Sequence, residues 1–168
     1  MLALYSTIWI GLALFALGET GRSFPDRGGR PRSWAWWIFV LGLVLTIVHT
    51  LLAFGVVHNW VHADAVRSTA MQTEAVFGMA VGWGVYVNYA FLVVWLADAW
   101  WWRVAPARYV RPRTVTRALR ASYMFMIFNG AVVFAAGARR LLGLAIVVWL
   151  CAVWALRRPA PTPFAPRR

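Results

Sequence analysis

Five stretches of the chain are apolar with few interruptions: Leu2 to Gly18, Trp34 to Val57, Ala75 to Trp102, Ala118 to Gly137, and Leu141 to Leu156. A helix needs about 20 apolar residues, rising about 1.5 Å each, to cross a hydrocarbon core about 30 Å thick. The second, third and fourth stretches meet that length. The first and fifth cross only where flanking arginines snorkel or the bilayer thins locally. The pattern predicts an all-α integral membrane bundle of five transmembrane helices. No connection exceeds about 20 residues, well short of the roughly 40 that a segment needs to build its own core. Residues 1–168 therefore read as a single membrane domain, with 157–168 as a disordered, basic, Pro-rich cytoplasmic tail. The first stretch has no basic leader and no clear small-residue cleavage site, so it reads as a retained span. No internal repeat is visible, and an odd span number does not divide into equal inverted halves.

The basic residues between the stretches assign sides. Fourteen arginines fall after the first stretch (Arg22, Arg27, Arg30, Arg32), around the third-to-fourth connection (Arg103, Arg108, Arg111, Arg113, Arg117, Arg120) and in the tail (Arg157, Arg158, Arg167, Arg168). The other side holds Arg67, Arg139 and Arg140. The positive-inside rule then predicts an outward N-terminus and an inward C-terminus. Trp34, Trp36, Trp37, Trp100, Trp101, Trp102 and Trp154 fall where the cytoplasmic aromatic belt should lie, which agrees with those depths.

Composition sharpens this picture. With 62% hydrophobic and 13% charged residues, the chain has too much apolar surface for a soluble fold of its size. The net charge of +12 would suggest a polyanion partner in a soluble protein. Here the arginines flank apolar spans, where they set topology and meet anionic lipid head groups, so no nucleic-acid role is expected. The single Cys151 excludes an intrachain disulfide and a zinc ribbon.

Polar groups inside lipid are costly and therefore informative. Thr46 and His49 fall near the middle of the second stretch, Asn88 between Tyr86 and Tyr89 in the third, and Asn129 in the fourth. This shared depth predicts a midplane polar layer, which serves as interhelical glue, a small-ligand site or a proton path. Gly84, Asn88, Phe91, Trp95, Asp98 and Trp102 recur at helical spacing on one inward face. Gly78 and Gly82 form a GxxxG on a neighbouring stripe. Asp98 lies about 7 Å from Arg103 by helical rise, and an intramembrane ion pair with Arg103, Arg117 or Arg120 is expected.

The outer connection gathers His58, His62, Asp64 and Glu74. Two imidazoles four apart on a helix can meet one divalent ion, so these four are candidate metal ligands. Thr69 and Gln72 read as a capping box that restarts a helix into the third span. A bis-histidine haem is disfavoured, because His49 lies about 13 Å from His58 by helical rise and no other span carries a histidine. A His/Met haem using Met79 is the remaining arrangement. GxSxG, phosphate-cradling glycine loops and HExxH are all missing, so no enzyme activity and no cofactor is predicted.

The segments HNWVHADAVRSTAMQT and GWGVYVNYAFLVVWLADAWW resemble a group of small multi-pass bacterial inner-membrane proteins. The resemblance covers Val48 to Trp102 and marks His58, His62, Asn88, Tyr89 and Asp98 as the shared pattern. It implies location and no catalytic role. The reading is thus a non-enzymatic accessory or interaction subunit of a bacterial inner membrane, with protein partners in the bilayer. Its alternatives are a metal- or haem-handling protein built on His58 and His62, and a small transporter or proton pathway through the midplane layer.

Overall fold

A computed structural model describes residues 2–26, 32–104 and 113–156. The tail 157–168 and Arg27, Arg30, Arg108 and Arg111 lie outside the described residues. Those described form six α-helices and no strand: α1 (Leu2–Ser23), α2 (Ser33–Leu52), α3 (His62–Phe77), α4 (Gly84–Val104), α5 (Arg113–Phe128) and α6 (Ala138–Leu156). Two of them run on into a π-helical turn, α2 through Ala53–Val57 and α5 through Asn129–Val133.

α1, α2 with its π turn, and α6 are long and apolar enough to cross a membrane. α4 is diluted by Tyr86, Asn88, Tyr89, Asp98, Arg103 and four tryptophans. α5 begins with Arg113, Arg117 and Arg120, and its apolar part, Ala121 to Val133, is about 13 residues or roughly 20 Å long.

The third apolar stretch is not one helix. Gly78 closes α3 in the left-handed region, at φ 71°, with its N–H donated to the Glu74 carbonyl. This is the usual glycine termination, since a Cβ is disfavoured there. The following segment is tied back by the Val81 N–H, which donates to Thr73 Oγ1 at 2.7 Å. Gly78 and Gly82 thus make a cap and a connection instead of a GxxxG helix contact. Likewise Thr69 lies within α3 and donates to the Ala65 carbonyl, so the expected capping box at Thr69 and Gln72 does not form. The start of the helix, at His62, falls seven residues earlier.

α1 and α2 pack most extensively. A Cβ added at Gly11 would stand 2.9 Å from Thr46 Oγ1, and one at Gly42 would stand 2.9 Å from the Gly11 carbonyl oxygen. Such close backbone approach is how helices associate where lipid supplies no hydrophobic drive. The core is aromatic. Phe15 of α1, Phe39 of α2, Trp95 of α4 and Tyr123 of α5 are all fully buried, and Phe15 makes ring contacts with the other three at 4.9–5.4 Å between centroids.

The helices alternate in direction around this core. Glu19 near the end of α1 bonds Trp154 near the end of α6, and Arg22 bonds Asp98 near the end of α4. The C-terminal ends of α1, α4 and α6 therefore share one end of the bundle. The N-terminal ends of α1, α4 and α6 share the other, with the π turns of α2 and α5.

Candidate functional site

That second end is hollow. A cavity of about 730 Å³ is walled by α1, α2, α4 and α5 with both π turns, and α3 lies across it. A volume of this size falls in the roughly 300–1,000 Å³ range of small-ligand sites. α3 presents Ala65, Ser68, Thr69, Gln72 and Thr73 to the hollow, a spacing that keeps one helix face inward. The π turns contribute Ala53, Phe54, Asn129, Gly130 and Ala131. Each inserts one extra residue per turn and so shifts the register of the wall, a device often found at functional sites.

Of the midplane layer, Thr46, His49, Asn88, Tyr89 and Asn129 all line this cavity, while Tyr86 faces the outer rim beside His62. Of the bonds made by His49, Thr46 and Asn129, one joins two helices and the others do not. His49 Nδ1 donates to the Leu4 carbonyl oxygen at 2.8 Å, which ties α2 to α1. Thr46 Oγ1 donates to the Gly42 carbonyl, and Asn129 Nδ2 donates to the Phe125 carbonyl at 2.7 Å, each within its own helix. Asn88 makes no hydrogen bond among the described residues. Its amide is exposed and faces the cavity.

At the other end sits a buried ionic cluster. Asp98 is 2% exposed and accepts from Arg22 Nη1 at 2.9 Å and from Tyr123 Oη at 2.8 Å. Arg22 also forms a salt bridge with Glu19, which is fully buried and accepts from Trp154 Nε1 at 2.9 Å. The guanidinium lies against the adjoining rings of Phe39 and Trp102, 5.1 and 5.3 Å from their centroids. Two carboxylates and two neighbouring aromatic rings match the planar cation that arginine supplies. The salt bridge of Asp98 is thus made with Arg22, across helices. Arg103 instead holds its guanidinium 5.9 Å from the Trp36 ring centroid.

Sequence reasoning missed Glu19, Arg22, Tyr123 and Trp154 as a unit. The available signal was Glu19 itself, a carboxylate in an apolar helix, with an arginine one turn later to pair with it.

The outer histidines keep other company. The rings of His58 and His62 each lie 6.0 Å from that of Phe54. His62 Nε2 is 3.2 Å from Tyr86 Oη, and its Nδ1 is 3.4 Å from Tyr89 Oη. Asp64 pairs with Arg67 at 3.9 Å. Glu74 follows ten residues later on the same helix, about 15 Å along its axis. Among the described residues no three His, Cys, Asp or Glu gather as a metal site.

The arrangement amounts to a largely apolar hollow with a few polar side chains at one end, an aromatic plug in the middle and a buried ion cluster at the other end. No protein-family model, curated protein or solved structure matches the chain.

Proposed function

We propose that this chain is a five-span protein of a bacterial inner membrane, N-terminus outward and C-terminus inward, whose outward cavity binds a small molecule without chemically altering it. The observation that carries the reading is the unpartnered amide of Asn88 in a hollow also lined by Thr46, His49, Tyr89 and Asn129. A polar group at that depth is expensive unless water or a ligand satisfies it. An accessory subunit held only by its outer faces gives the Asn88 amide no task. The arginine-rich end belongs at the cytoplasmic face, where it meets anionic head groups. The aromatic plug supports binding over passage, since a carrier would have to part Phe15 from Trp95 and Tyr123.

Thiol accessibility tests this directly. In a Cys151→Ala background, Val87→Cys lines the cavity and should react in intact cells with a small, water-soluble, cationic methanethiosulfonate. Ala16→Cys, 1% exposed beside the plug, should react at least about a hundredfold more slowly. Equal rates, or no reaction at Val87→Cys, would contradict an outward, water-filled site.

A further inference from the structure

A second, shallower hollow lies beside the first, between α1 and α6, lined by Tyr5, Ser6, Trp9, Ile10, Arg139 and Leu142. Tyr5, Trp9 and Arg139 line both hollows, so the two meet at these side chains. The outer rim of the groove is apolar: Ile10 is 52% and Leu142 48% exposed. On the five-span reading, both face hydrocarbon.

Charge is one-sided along the whole route. Among the described residues that line the two hollows there is no Asp or Glu, and Arg139 is the single guanidinium. It stands at the junction, 4.3 Å from the centroid of the Tyr5 ring. Arg139 begins the first turn of α6, near where a head group of the outer leaflet would sit. An arginine over an aromatic ring keeps its N–H fork free at the edges for a carboxylate or phosphate. Beyond it, the wall becomes aliphatic and aromatic, with Ile8, Leu12, Phe91 and Leu92 lining the interior.

We infer that the cavity takes a single-chain amphiphile with an anionic head, which slides in sideways from the bilayer between α1 and α6, its head held at Arg139 and its chain along Ile8, Leu12, Phe91 and Leu92, with water kept at the Asn88 amide. This rests on the proposed reading of the cavity as a ligand site. It adds the chemical class of ligand and the route. A carboxylate and a phosphate monoester head are equivalent to Arg139 in kind, and a fatty acid and a lysophospholipid are the two sources of that chemistry.

The test uses the full chain in nanodiscs, with Val87→Cys in the Cys151→Ala background and Met71→Cys, exposed on α3, as the control for surface potential. Oleate, oleoyl lysophosphatidic acid and methyl oleate are added in turn. At least one of the two acids should slow labelling of Val87→Cys about tenfold relative to Met71→Cys, and methyl oleate should not. Protection by both acids, or by one alone, supports the inference and identifies the source. Arg139→Gln, which removes the charge at an exposed position, should abolish the protection, read as the ratio of labelling with and without lipid in that same variant. Equal protection by methyl oleate, protection that survives Arg139→Gln, or no protection by either acid would overturn it. Failure of the underlying cavity reading would look different, because Val87→Cys would then resist labelling before any lipid was added.

Discussion

Arg22 is held by three helices, since α1, α2 and α4 each contribute a carboxylate or an aromatic face to it. Removing it strands Glu19 and Asp98 in a dry interior, and breaking a buried pair in this way typically costs about 3–5 kcal/mol. Arg22→Met should therefore lower the thermal stability of the detergent-solubilised protein sharply. Trp154→Phe removes one N–H bond to a buried carboxylate and should cost less, about 1.5–3 kcal/mol. Equal effects in the same unfolding assay would contradict this ranking. The need for a partner at Asp98 was legible in the sequence, because an unpaired carboxylate is not tolerated in lipid. Its identity was not. Helical rise relates a residue to neighbours on its own helix, which favoured Arg103, whereas the observed partner is 76 residues away and adjacent only through the packing of α1 against α4.

Glycine divides the elements by function. At the α1–α2 seam its role is space: Gly42→Val would drive a side chain into the Gly11 carbonyl and the Phe15 amide. Overpacking of this kind costs about 1–3 kcal/mol, and it should appear as a lowered unfolding temperature. Gly130→Ala in the π turn meets nothing within 4 Å and should leave stability nearly unchanged. At Gly78 the role is conformation. Its Cβ position is open, so Gly78→Ala carries only the left-handed strain at φ 71°, about 1–2 kcal/mol. Equal behaviour of Gly78→Ala and Gly130→Ala would remove the argument. The helical nature of every apolar stretch could be read from periodicity, but the break at Gly78 could not. Apolarity continues from Ala75 to Val81, and the same glycine serves a helix contact or a helix end depending on backbone angles that hydropathy does not encode. The two π turns were hidden for the same reason, since one inserted residue leaves the apolar run intact.

Across the whole molecule, chain direction and charge agree. The ends of α1 and α4 carry Arg22 and Arg103, α5 begins with Arg113, and all three meet at the end opposite the cavity. The shared depth of Thr46, His49, Asn88 and Asn129 was visible by counting from the ends of the apolar stretches. That they surround a hollow was not, because a common depth is equally compatible with paired amides in a packed core. α3 was the least legible element: its Thr, Ser and Gln face looks like a solvated surface, and only its position across the cavity makes that face an inner wall.

The central claim is that this cavity faces outward while the C-terminus lies on the inner side of the membrane. It is tested most directly by labelling intact cells with an impermeant maleimide, in a Cys151→Ala background carrying either Met71→Cys on α3 or Ala165→Cys in the tail. The account predicts labelling of Met71→Cys in intact cells and of Ala165→Cys only after permeabilisation. Labelling of both from outside, of neither, or of the tail alone would contradict it.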